Sequence, residues 1–267
     1  MPWGLAPDES TGVRESMGPR LRGDDGNLVI DLHCHLLPGI DDGPATLEEA
    51  LAMARIAAAN GIEAAYVTPH LHPGRWDNDR AKIEAAVAAY RAALAEAHIA
   101  LQLGFAAEVR LDYEILPLVE AGRVPFLGVL EGYHVMLLEF PHSHVPVGAY
   151  KFVAWLLARK VRPMIAHPER NKDLMRDPEK LAPFVRDGCL LQVTADAVAG
   201  GLGELCALRA REFLQRGWVS VLASDAHDSV DRPPRMAPGR DAAAQIVGEE
   251  EARRLVYDTP LRIVRGT

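Results

Sequence analysis

Residues 28–35 read Leu-Val-Ile-Asp-Leu-His-Cys-His, a short apolar run that delivers an aspartate and two histidines at its end. The pattern recurs along the chain. Tyr66-Val67 runs into Thr68-Pro69-His70, Phe105-Ala106-Ala107 into Glu108, and Met136-Leu137-Leu138 into Glu139. Met164-Ile165-Ala166 ends at His167, and Val221-Leu222-Ala223 at Ser224-Asp225-Ala226-His227. Continuous apolar runs of this length, bounded by polar or turn residues, read as buried strands.

Helical patterns lie between the strands. Thr46 and Glu49 stand in capping-box relation, Leu47, Leu51, Ala54 and Ala58 share one face, and Asn60-Gly61 supplies the stop. Further helices are expected over 78–97, 148–158, 178–187 and 203–216, and strands over 64–67, 99–106, 134–140, 162–166, 190–193 and 219–223. Repeated βα units imply a parallel sheet, and about seven of them favour closure into a TIM-like β/α barrel. No repeat or internal linker interrupts residues 28–267, which read as one α/β domain. Residues 1–27 carry Gly, Pro and mixed charge without periodicity and read as a disordered extension.

Composition narrows the function. The chain has 267 residues with 49% hydrophobic and 25% charged side chains, ordinary for a globular protein. A net charge of −8, from 29 Lys+Arg against 37 Asp+Glu, argues against nucleic acid as a partner. No apolar run approaches the ~20 residues of a membrane span, and the amino terminus lacks the order of a signal peptide, so a cytoplasmic protein is expected. The three cysteines, Cys34, Cys189 and Cys206, are far apart and form no metal or disulfide pattern.

In a β/α barrel the carboxyl ends of all strands share the face on which active sites are built. The two-residue spacing in His33-Cys34-His35 and Asp225-Ala226-His227 points both outer side chains the same way in extended backbone. Each residue alone has a plainer reading: Glu108 could pair with Arg110, and Asp41-Asp42-Gly43 could be turn chemistry. Six strands ending in such residues by accident is improbable, so a metal cluster is expected. Imidazole and carboxylate donors without thiolate suit Mn, Fe or Zn, and this many ligands exceed what one cation takes. Clusters of two or three ions suit phosphoester hydrolysis.

Arginines lie near these ligands. Arg170 follows His167 in His167-Pro168-Glu169-Arg170, and Arg75 follows His70 in the loop that also carries Trp76. A guanidinium at the mouth of a metal site grips phosphate, which makes both arginines catalytic candidates. Ser224 lacks a nucleophile elbow, no phosphate-binding glycine loop is present, and no cysteine has the arginine spacing of a thiol phosphatase.

Taken in order, the motifs HxH, DDG, TPH, AE, EF, HPER and SDAH resemble the PHP (polymerase and histidinol phosphatase) superfamily. The stretches DLHCHLLPGIDDGPATLEEAL, VTPHLHPGRW, LLEFP, IAHPERN and LASDAH are most similar to its manganese-dependent tyrosine-protein phosphatases, found with bacterial capsular and exopolysaccharide genes. The resemblance implies a distorted barrel with three metal ions. His33 and His35 would bind the first ion with Asp225. Glu108 would bridge to a second, which His167 and Glu139 help to hold or orient, and Asp42, His70 and His227 would complete the third. It favours Asp42 over Asp41 and matches Arg170 to a phosphate-binding arginine. The implied reaction is hydrolysis of protein phosphotyrosine, on the tyrosine-rich tail of a polysaccharide autokinase. The rivals are a phosphatase for a small alkyl phosphate such as histidinol phosphate, a nucleotide phosphoesterase, and a non-catalytic metal-binding regulator.

Overall fold

The computed structural model describes residues 28–267; the extension expected over 1–27 lies outside the described residues. The strands are β1 (Val29–Cys34), β2 (Ile62–Val67), β3 (His70–Leu71), β4 (Gln102–Phe105), β5 (Glu108–Arg110), β6 (Gly128–Leu130), β7 (Tyr133–Glu139), β8 (Val161–Ala166), β9 (Leu190–Thr194) and β10 (Val221–Ala223). One parallel path runs β1-β2-β4 and another β3-β5-β7-β8-β9-β10, with β6 as an antiparallel partner of β7. The paths are halves of one arrangement. β2 continues into β3 across Thr68-Pro69, and β4 into β5 across Ala106-Ala107. Bonds from Ala106 N–H to Val67 O (3.0 Å) and from Glu108 N–H to Pro69 O (3.2 Å) carry the pairing through both breaks.

Seven strand positions result, but the barrel expected from sequence does not close by a regular ladder. Between β10 and β1 the contacts are isolated: Asp225 N–H to His33 O and His35 N–H to Ala226 O, each 2.8 Å, and Ser224 N–H to Asp31 Oδ1 at 3.0 Å. The irregularities have a local cause and a consequence. Pro69 has no N–H to give, and each break falls directly before a candidate ligand: His70, Glu108 or Asp225. A break in the ladder re-aims the next side chain, as bulges do beside active sites.

Helices cover the outside. Leu47–Ala59 begins with the expected box: Glu49 N–H donates to Thr46 Oγ1 (3.2 Å) and Thr46 N–H to Glu49 Oε2 (3.1 Å). Such a cap stabilises by about 1 kcal/mol. The helix expected over 178–187 is instead a 3₁₀ turn, Pro178–Leu181, followed by Ala182–Arg186. Pro183, lacking an N–H, is tolerated only at a helix start and so marks a new one. The strand expected from Ile99 begins at Gln102. The carboxyl-terminal helices Ala237–Val247, Glu249–Arg253 and Thr259–Arg265 were not legible in the sequence. No helix among the described residues is long and apolar enough to cross a membrane.

Candidate metal centre

The nine candidate ligands converge at the carboxyl ends of the strands. All are buried except Asp42, which stands at the mouth. Four groups of ligand atoms lie close enough to hold a cation: His35-Asp42-His70-His227, His33-His35-Glu108, His33-His167-Asp225, and His70-Glu108-Glu139. Glu108 is central. Its Oε2 is 3.4 Å from His33 Nε2, 3.3 Å from His35 Nε2 and 3.0 Å from His70 Nδ1, while Oε1 is 2.7 Å from His167 Nε2. Asp42 Oδ1 lies 3.3 Å from His70 Nε2 and 3.4 Å from His227 Nε2.

The grouping overlaps the partition that the resemblance implies. Asp225 Oδ1 lies 3.2 Å from His33 Nε2 and 3.6 Å from His35 Nε2, Asp225 also groups with His33 and His167, and Glu139 groups with His70 and Glu108. Arg110 Nη1 holds Glu139 Oε1 at 2.8 Å, so the partner of Arg110 is Glu139 and not Glu108.

Backbone and neighbours aim the rings. Gly43 packs so closely on β1 that a Cβ there would meet His35 O at 2.6 Å, which lets the Asp41-Asp42 turn lie against the strand end. Asp41 then accepts from His35 Nδ1 (2.7 Å), His70 N–H and Gly43 N–H (both 3.0 Å). His33 Nδ1 donates to Gln192 Oε1 (2.9 Å), and His227 Nδ1 to Asp225 O (2.9 Å). In each case Nε2 faces the cluster with its lone pair. His167 (φ +32°) and Asp225 (φ +51°) adopt left-handed backbone, uncommon outside glycine and taken by Asp and His more readily than by most residue types.

Burial alone would lower the pKa of His35 and His70, yet Asp41 holds His35 up to about 9, and Glu108 with Asp42 holds His70 up to about 11. Burial, with the Glu108 carboxylate beside it, raises Glu139 to about 7. Burial is outweighed at Glu108, whose carboxyl the His33 and His70 rings and the His167 contact hold well below the usual range. The packed carboxylates raise the proton affinity of His33, His35 and His70. Two features fit the donor set to metal ions. Asp225 Oδ1 is buried without a hydrogen-bond partner, and His33 Nε2 faces His35 Nε2 at 3.4 Å, two lone pairs with room for a shared cation. The donors are N and O only, as Mn, Fe and Zn accept.

Arg170 reaches the cluster through an ion pair with Asp225 Oδ2. Its turn, Pro168–Arg170, is anchored by buried Glu169, whose Oε1 accepts from Thr194 N–H (3.0 Å). Arg75 does not reach the cluster. Its guanidinium lies over Trp76 (3.9 Å to the ring centre), and Trp76 stacks on His70 (4.7 Å between ring centres, 12° between planes).

Sequence reading missed three contributors: Asp41 as the partner of His35, Gln192, and Arg232. Arg232 donates to Asp225 Oδ2 (2.5 Å) and Asp225 O (2.9 Å). Gln192 and Arg232 gave no local signal, since one sits inside a strand and the other on a loop that folds back to Asp225.

Comparison with known proteins places this geometry. Tyrosine-protein phosphatase YwqE of Bacillus subtilis is 30% identical over 200 residues, covering 75% of this chain and 78% of YwqE. Tyrosine-protein phosphatase CpsB of Streptococcus pneumoniae is 27% identical over 241 residues, covering 88% of this chain and 98% of CpsB. A solved structure from work on YwqE and CpsB, described as unique metal-dependent tyrosine phosphatases, superposes with a TM-score of 0.82 at 28% identity, covering 89% of this chain and 95% of that one. Residues 29–265 match the family described as "Capsular polysaccharide synthesis, CpsB/CapC". This chain belongs to that CpsB/CapC family.

Proposed function

We propose that the chain is a metal-dependent phosphatase that hydrolyses protein phosphotyrosine, with manganese as its cation. The observation that carries this reading is the shared Glu108 carboxylate at the meeting point of two candidate cation groups, with two arginines on the adjoining Asp225. In it, His33, His35, Asp42, His70, Glu108, Glu139, His167, Asp225 and His227 are the ligands. Cations held there would act as Lewis acids toward phosphate and lower the pKa of a water for in-line attack. Arg170 and Arg232, already sharing one oxygen of Asp225, supply forked donors for the phosphate oxygens. Arg75 is the cation at the rim. The leaving phenol has a pKa near ~10, so it departs without a strong general acid. A polysaccharide-biosynthesis autokinase with a tyrosine-rich tail, met in the cytoplasm, fits the family as substrate.

The substrate test compares phosphate release from a phosphotyrosine peptide and from histidinol phosphate by manganese-loaded protein. Release from the peptide with little from histidinol phosphate is expected. The reverse preference would keep the site and overturn the substrate.

Asp41 gives a separate check on the ligand set. Asp41→Asn leaves one uncharged acceptor oxygen where the carboxylate has two, so it cannot serve Gly43 N–H on one side and His70 N–H with His35 Nδ1 on the other. Cation affinity measured by calorimetry should fall about 10- to 100-fold, as for other carboxylates that orient metal-bound histidines. Unchanged affinity would mean that His35 is no ligand.

A further inference from the structure

The loop after His227 leaves a cavity of about 150 Å³ against the ends of β9 and β10. Thr194 and Ser224 lie in its wall at those strand ends, so it is on the same side of the sheet as the candidate ligands. Arg232 also lines it while holding Asp225, so a single side chain joins the cavity to the cluster. Thr194 Oγ1 is buried beside the Glu169 carboxylate that the Thr194 backbone N–H reaches. The side chains of Arg235 and Asp196 line the cavity and make no ion pair among the described residues. Val230, 79% exposed, and half-buried Leu202 add apolar wall.

We propose that this cavity is a subsite for the polypeptide flanking the phosphotyrosine, and that it takes one hydrogen-bonding side chain of the substrate protein. The proposal rests on the phosphatase reading and adds to it the origin of selectivity for protein over small aryl phosphates. Its volume is below the ~300–1,000 Å³ of sites that enclose a whole small molecule, and suits a single side chain. A guanidinium and a carboxylate without ion-pair partners, together with apolar walls, offer donor, acceptor and contact surface. The cluster grips only phosphate, common to every phosphoester. Contacts made away from phosphorus are what make a larger substrate react faster than its truncated form.

The test compares kcat/KM for a phosphotyrosine peptide and for phenyl phosphate at equal metal loading, in wild type, Arg235→Glu and Leu202→Trp. Arg235 is exposed and Leu202 half-buried, and neither touches a candidate ligand. Each variant should lower the peptide value about tenfold, Arg235→Glu by losing one charge-assisted contact and Leu202→Trp by filling the cavity, and leave phenyl phosphate within about twofold. An unchanged ratio of the two substrates in both variants, or an equal fall on both, would overturn the subsite while leaving the phosphatase reading intact. Wild type inactive on both substrates would overturn the phosphatase reading and the subsite with it.

Discussion

His33→Ala should abolish cation binding and turnover together. His33 has no exposed surface and belongs to two of the four candidate cation groups, one with His35 and Glu108 and one with His167 and Asp225. Removing its ring takes a nitrogen donor from both groups. It also leaves Gln192 Oε1 without its side-chain donor and removes the ring that lies beside the Glu108 and Asp225 carboxylates. Cations supply several kcal/mol of stabilisation to a phosphoryl transition state, so turnover should fall by more than about a thousandfold. Elemental analysis of the purified variant, with circular dichroism to establish folding, separates loss of metal from loss of fold. A folded variant with full metal content and ordinary activity would remove His33 from the centre.

Arg170→Ala should leave the metal in place and lower kcat/KM by about 10²- to 10³-fold, the loss typical of one donor aimed at developing charge. The side chain is only about a fifth exposed, at 20%, and its partner is a candidate ligand, Asp225. Asp225 keeps Arg232 at 2.5 Å when Arg170 is truncated, so its carboxylate stays paired and oriented. Arg170→Lys should recover only part of the rate, because an ammonium is a point charge and cannot fork onto two phosphate oxygens. An unchanged rate in Arg170→Ala would give the residue a structural role as the counter-charge of Asp225. Lost metal would place it among the groups that hold the ligand set.

Most of the site was legible because strand geometry brings it together. A parallel arrangement puts every strand's carboxyl end on one side, so residues 31–35, 70, 108, 139, 167 and 225–227 could be assembled from local reading alone. The HPER stretch was legible in part. His167 and Arg170 point to chemistry, whereas buried Glu169 as an anchor to β9 depends on tertiary placement. What stayed hidden shares that dependence. Asp41 and Asp42 look alike in sequence, and only the packing of Gly43 on His35 O sends one to the His35 ring and the other to His70 and His227. Arg232 reaches Asp225 because Asp228 Oδ1 gathers the amides of Val230, Asp231 and Arg232 into a turn. The irregular seam between β1 and β10 was equally beyond reach, since apolar periodicity counts strands but does not show where a ladder lapses.

The measurement closest to the central claim is phosphate release from a phosphotyrosine peptide by protein stripped with a chelator, before and after adding Mn²⁺. The expected result is no release from the stripped protein, restoration by Mn²⁺, and no effect of thiol alkylation. Release that persists in stripped protein at the wild-type rate would contradict a metal centre built on His33, Glu108 and Asp225.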